Sequence, residues 1–175
     1  MSWQAIHRSL RSLTVAMMIL AVAALAVSGC SNSESTPSRF TSTFESPEAM
    51  AKHVLRKLKE MDRAGLHDML ITQYEHDSIV APAMGRTNDL EFGWFMLKNN
   101  CIKGVRRTVE TYGGRDFEFE YIRFEEGTEP YPPLTLHRGT VIGVTDRETG
   151  QSGELGFCGT VIEEDGRFKL VSIRD

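Results

Sequence analysis

The sequence predicts an α+β domain: three N-terminal helices packed on one face of a curved, four-stranded antiparallel sheet. Three observations carry this expectation. From Pro47 to Tyr112, apolar residues recur at the three- and four-residue spacing of a buried helix face. From Asp116 onward the apolar period falls to two, the signature of strands with one buried face. Gly113-Gly114 stands at the change of period and separates the two halves.

The first helix begins at Ser46-Pro47-Glu48, where a serine cap, a proline in the first turn and an acid complement the free N–H groups. Met50, Val54, Leu58 and Met61 form its apolar stripe, Lys52, Arg56, Lys59 and Asp62 take the wet side, and Gly65 is the expected stop. A shorter helix is expected from Leu66 to Tyr74, with Leu66, Met69, Leu70 and Tyr74 inward, followed by an apolar loop from Ile79 to Gly85. Asn88 and Glu91 stand in capping-box register before the longest helix. Along it Leu90, Trp94, Leu97, Cys101, Val105, Val109 and Tyr112 step by four and three, and Gly113 ends it.

Phe117, Phe119 and Tyr121 alternate with acids, then Ile122 and Phe124 continue in the opposite phase. Such a slip within one strand predicts a bulge. Glu126 to Pro133 carries three prolines and reads as a turn. A second strand is expected over 134–145, a hairpin loop over 146–152 and a third strand over 154–163. Asp165-Gly166 then makes a two-residue turn into a fourth strand, 167–174.

Upstream of the helices, Arg8 and Arg11 precede Leu13 to Val27, fifteen residues of which all but Thr14 are apolar. A basic start and a run of that length describe an export signal, too short to span a bilayer comfortably. Val27-Ser28-Gly29-Cys30 closes the run and resembles the bacterial lipobox. That resemblance implies a signal peptide over residues 1–29, cleavage before Cys30 and acylation of its thiol, which anchors the protein to a membrane of the cell envelope. With Ser31 next, it implies the periplasmic face of the outer membrane in a didermal host. Several acyl chains hold a protein durably, because each buried methylene contributes about 0.8 kcal/mol. The polar stretch Ser31 to Ser46 is expected to be a flexible tether, so 30–46 link the anchor to one domain, 47–175.

Of the 175 residues, 145 follow Cys30, enough for one domain and too few for two. Arg8 and Arg11 are the only charged side chains before Cys30, so 18 basic and 24 acidic groups remain after it, a net charge of −6. An acidic chain of this kind is a poor partner for nucleic acid, and its one basic cluster, Lys98, Lys103, Arg106 and Arg107, reads as the solvated face of a helix. Cys30 is taken by lipid, leaving Cys101 and Cys158 either as a disulfide or as two buried thiols. A bond between them would close a long loop and contribute about 4 kcal/mol.

The element order, the bulged first strand and the closing hairpin Asp165-Gly166-Arg167-Phe168 resemble the nuclear-transport-factor-2-like superfamily of cone-shaped, cystatin-like domains. Tyr74-Glu75-His76, Trp94 and Thr135-Leu136-His137-Arg138 are similar to segments of uncharacterised bacterial lipoproteins. The superfamily resemblance implies a pocket in the cone, for which Tyr74, His76, Tyr112, Tyr121 and His137 are the candidate lining residues. It also admits several functions: a small-ligand or protein-binding module, a small lyase or isomerase working by acid–base chemistry, or an assembly accessory, with homodimerisation as a further implication. The sequence itself carries no nucleophile elbow, phosphate loop or metal-ligand spacing, so no catalytic residue, metal or cofactor is assigned. Trp94 on the stripe is expected to be core, and Phe92 and Phe95 flank it and widen the apolar face of the long helix; a surface that stays apolar after folding would mark a partner or dimer interface.

Overall fold

The computed structural model describes residues 39–174. It is an α+β arrangement, helices first and strands after, as the change of period requires. The helices are more numerous and shorter than expected, and the four expected strands resolve into seven, in two antiparallel sheets.

Helix α1, Pro47–Lys59, is capped by Ser46, whose hydroxyl accepts from the Ala49 N–H at 3.1 Å, and it buries Met50, Ala51, Val54, Leu55 and Leu58. It stops at Lys59 because Met61 turns left-handed (φ +53°), which leaves that side chain exposed instead of on the stripe. Gly65, the expected stop, lies inside α2, Arg63–Asp68, and gives its N–H to the Asp62 cap at 2.8 Å. The expected helix over 66–74 is cut short by strand pairing. Leu70 bridges Leu170, and the Ile71 N–H donates to the Leu170 carbonyl at 3.1 Å. Thr72 then caps a new turn, α3, Gln73–Glu75, through a reciprocal capping box with Glu75. The presumed loop over 79–85 is helical as far as Ala83: a widened π turn, His76–Val80, runs into α4, Ala81–Ala83, and buries Ile79, Val80 and Ala81. The wide turn falls just before Pro82, which has no N–H for a regular helix ladder.

Helix α5, Leu90–Tyr112, follows the long stripe, but its cap is Asp89 in a left-handed conformation (φ +56°) with no side-chain hydrogen bond, so the Asn88–Glu91 capping box does not form. Cys101, Gly104, Val105, Thr108 and Val109 are buried, whereas Trp94 and Leu97 nearer the N-terminus are only half-buried.

Strand β1, Phe117–Phe124, pairs with β4, Thr140–Asp146, with the expected bulge between Phe119 and Tyr121. The proline-rich stretch contributes a strand of its own, β2, Thr128–Tyr131, paired with β3, Leu134–His137. The remaining strands are β5, Ser152–Leu155, β6, Val161–Glu164, and β7, Arg167–Leu170. The sheet orders are β1-β4-β5 and β2-β3-β6-β7. Both long strands inferred from periodicity therefore change sheets midway. One does so at Gly139, where φ is +65°, and the other across 156–160; the Thr140 N–H donates to the Gly159 carbonyl at 3.2 Å and ties the two crossings together. Asp165 and Gly166 both adopt positive φ, as the tight β6–β7 turn demands.

Two apolar clusters result. The larger lies among α1, α5 and the β1-β4-β5 sheet and includes Val161 and Leu170. The smaller, with Leu134, Leu136 and Ile162, covers the other face of the four-stranded sheet beneath Phe40, Ile71, Ile79 and Val80. Residues 39–46, expected to belong to the tether, are tied to this domain: Phe40 is buried, Phe44 and Phe168 exchange backbone hydrogen bonds at 2.9 Å, and Arg39 Nε donates to Glu164 at 2.7 Å. Residues 39–174 fall within a single compact unit, so the domain carries its own core.

Gly104 shows how closely α5 meets the C-terminal segment. A Cβ there would collide with the Ile173 carbonyl oxygen and lie 2.8 Å from that of Arg174. Gly104→Ala is therefore expected to destabilise the domain by about 1–3 kcal/mol, read as a lower denaturant midpoint at unchanged slope. Gly153→Ala, where nothing lies within 4 Å of the new atom, is the control and should shift stability by less than about 0.5 kcal/mol.

Candidate functional site

The stretch that abandons helix for strand pairing, 69–72, leaves the first half of α5 uncovered on one side. Between them lies an open groove of about 700 Å³. Leu70, Ile71, Trp94, Leu97, Ile102 and Val171 make its walls apolar, with the Cys101 thiol among them. Trp94, Leu97, Lys98, Cys101 and Ile102 follow one another at helical spacing, so a single face of α5 forms one wall. Thr41, Ser42, His67, Asp68, Thr72 and Lys98 supply the polar rim. The His67, Asp68 and Lys98 side chains are exposed and make no hydrogen bond or ion pair among the described residues.

A buried ion pair holds this groove in shape. Lys169 on β7 pairs with Ile162 on β6 and points into the smaller apolar cluster, where both it and Glu75 are 1% exposed. Their charged atoms lie 3.7 Å apart. The Glu75 carboxylate accepts from the Thr72 N–H at 2.7 Å, the Thr41 N–H at 2.6 Å and the Thr41 hydroxyl at 2.8 Å, while Lys169 donates to the Thr41 carbonyl at 2.6 Å. Thr41 and Thr72 are both rim residues, so the pair fixes two edges of the groove from below. Burial alone would push the Glu75 carboxyl up, but the hydrogen bonds from Thr72 and Thr41, with Lys169 nearby, hold it below the ordinary carboxylate value. Burial lowers the Lys169 ammonium from its ordinary value, with Glu75 opposing.

The five residues expected to line one pocket are dispersed, and none lines this groove. Tyr74 is 73% exposed. His76 Nδ1 lies 2.6 Å from Asp77, and its ring packs near Trp94 at 5.7 Å. The Tyr112 ring packs in the larger cluster against Phe117 and Phe157. Tyr121 covers Gly143 on the outside of the three-stranded sheet and donates to Glu154 at 2.5 Å. There the Arg123 guanidinium and the Tyr121 hydroxyl hold the Glu154 carboxyl down at about 2. His137 is buried between the sheets: its ring stacks on Phe124 at 4.5 Å, its Nε2 lies 2.9 Å from Glu163 and its Nδ1 3.1 Å from Thr128. Trp94, expected as core, is instead a groove wall, while Phe92, Phe95 and Met96 stand exposed beside it as the widened apolar face required.

Cys101 and Cys158 are both buried free thiols. Burial raises the Cys101 thiol and pushes Cys158 up to about 12, so neither is a thiolate at neutral pH. Cys30 lies outside the described residues. Among the described residues no cluster of three metal-ligating side chains exists, and no helix is long and apolar enough to cross a membrane. A second recess of about 420 Å³ lies between α1 and β1, but its Lys59 and Arg147 already face Asp116 and Glu118.

The groove was missed because Leu70, Trp94, Leu97 and Cys101 were read as core and Ile71, Ile102 and Val171 were given no role. The one local signal was Thr72-Gln73-Tyr74-Glu75, a capping box that starts a new helix inside the stretch expected to be one. Compared with protein-family models, characterised proteins and solved structures, the chain matches none.

Removing one partner of a buried ion pair strands the other. Glu75→Gln should therefore cost about 3–5 kcal/mol at neutral pH, and adding Lys169→Met should recover part of that loss. Because the folded pKa of Glu75 is depressed, its contribution is complete above the ordinary carboxylate range and is lost as pH falls through the depressed value. Denaturant titrations between about pH 5 and pH 2 should show a shallower acid loss for Glu75→Gln than for the parent.

Proposed function

We propose that this chain is a lipid-anchored module of the cell envelope that binds an elongated apolar small molecule in the groove beside α5. One observation carries the binding half of this reading: apolar walls from Leu70, Ile71, Trp94, Leu97 and Ile102 surround an open groove of about 700 Å³ at the margin of the two apolar clusters. A volume of this size, mostly apolar with a few polar groups at one edge, is what small-molecule sites require. The resemblance to nuclear-transport-factor-2-like domains supports it in kind, since those domains hold ligands between helices and sheet. The anchoring half rests on Val27-Ser28-Gly29-Cys30 after an apolar run.

The lyase or isomerase alternative draws no support from the geometry. Acid–base catalysis needs convergent titratable groups, and Tyr74, His76, Tyr112, Tyr121 and His137 share no hydrogen bond or ring contact with one another.

Trp94 provides the test. The chain holds two tryptophans, Trp3 in the leader and Trp94 in the groove, so residues 31–175 carry a single reporter. Titration with 1-decanol should give a saturable blue shift of its emission, weakened several-fold in Ile102→Gln, a variant of a wall residue that is 45% exposed and tolerates the change. No saturable shift would overturn the groove reading. For the anchor, Cys30→Ala in the full chain should abolish labelling by a radioactive fatty acid and move the protein out of the membrane fraction. Unchanged labelling and fractionation would overturn it.

A further inference from the structure

Resting on the groove-binding reading, we infer that the ligand is a single-chain amphiphile with a monoanionic head, its carboxylate or phosphodiester received at Lys98 and His67 and its alkyl body laid along Trp94, Leu97 and Ile102.

The rim decides the sign of the head. Lys57, Lys59 and Lys169 each meet a carboxylate within 4 Å, whereas Lys52, Lys98 and Lys103 meet none among the described residues, and of these three Lys98 lines the groove. Lys98 leaves α5 four residues after Trp94 and four before Ile102, so its methylene stem runs along the apolar wall and its ammonium reaches the rim. His67 adds a second nitrogen donor on the opposite edge, also without a partner. Thr41, by contrast, has its N–H and hydroxyl committed to Glu75 and is not free to bind a head group.

Asp68, the last residue of α2, is the one acid on the rim. Its carboxylate makes no ion pair with a described residue, so it offsets part of the positive potential of Lys98 without consuming it. One negative charge on the ligand pairs with the Lys98 ammonium. A second would face Asp68, and a cationic head would face Lys98. The charge of the rim thus selects a monoanion over a neutral, dianionic or cationic head of the same chain length.

The test compares ten-carbon probes on residues 31–175, each below its micellar concentration, by Trp94 emission. Decanoate should bind up to about fivefold more tightly than 1-decanol at low salt, the range of a solvent-accessible ion pair, and the preference should shrink as salt rises. Decylamine and decyl phosphate should bind more weakly than decanoate. Lys98→Gln should bring decanoate to the level of decanol measured on the same variant, and Lys98→Arg should restore the preference. Because Lys98 is exposed and unpaired, neither change threatens the fold. Decanoate no tighter than decanol, or a preference that survives Lys98→Gln, overturns the inference while leaving groove binding intact. Absence of decanol binding overturns the groove reading itself. Sedimentation with phosphatidylglycerol vesicles separates the two sources of such a head: Lys98-dependent pelleting assigns a membrane lipid, and decanoate binding without pelleting assigns a free amphiphile.

Discussion

The buried pair of Glu75 and Lys169 is the constraint on which the smaller half of the structure depends. Lys169 occupies a strand position whose neighbours on the same face, Ile162 and Leu136, are core residues, so its ammonium has no route to water. An uncompensated charge there would cost several kcal/mol, and the compensation must come from outside the sheet. Glu75 supplies it only if helix restarts at Thr72, and Thr41 completes it only if the N-terminal arm lies across the site. Three segments far apart in sequence are thereby held in one register. The same demand explains why the chain leaves helical geometry at Asp68 and pairs Leu70 and Ile71 with Leu170 before resuming it.

The groove is a by-product of that interruption. A continuous helix over 66–74 would have laid a side-chain row against α5 and covered Trp94 and Leu97. The extended residues 69–72 are drawn to the sheet instead, and the gap opens on the side they vacate. At its far end α5 behaves oppositely. Gly104 brings the helix backbone against the carbonyls of Ile173 and Arg174, and Cys101, Val105 and Val109 are buried. One apolar stripe therefore serves two purposes along its length, core at the C-terminal end and open wall at the N-terminal end.

Features governed by local physics were legible in the sequence. The α1 cap at Ser46, the α5 stripe, the Phe119–Tyr121 bulge and the Asp165-Gly166 turn all depend on residues within a few positions of each other. What was not legible depends on distant partners. Residues 134–145 alternate smoothly as one strand, and nothing in that alternation says that Gly139 sends its two halves to different sheets. Thr128–Tyr131 looked like a turn because of its prolines, yet an edge strand accommodates Pro130, whose missing N–H needs no partner on the open side. Tyr74, His76, Tyr112, Tyr121 and His137 were grouped by residue type, and type alone does not fix direction. His137 shows the error most clearly: out of phase with Leu134 and Leu136, it is nevertheless buried, because a second layer, Phe124 from the other sheet, covers the face it turns toward.

That a stripe so regular should be left half-open has an energetic reading. Covering Trp94, Leu97 and Ile102 would add stability at about 25 cal/mol per Å² buried, and a short apolar loop would suffice. The chain has such material in Ile79 and Val80, but it is spent over Leu134 and Ile162, in the cluster that Trp94 and Leu97 meet only with their inner sides. Three polar side chains on the rim, His67, Asp68 and Lys98, are also left without partners among the described residues, although most cations elsewhere on the surface are paired. Apolar surface and unpaired charge left open side by side, above a floor made rigid by a buried ion pair, describe a site whose remaining interactions are supplied by a ligand.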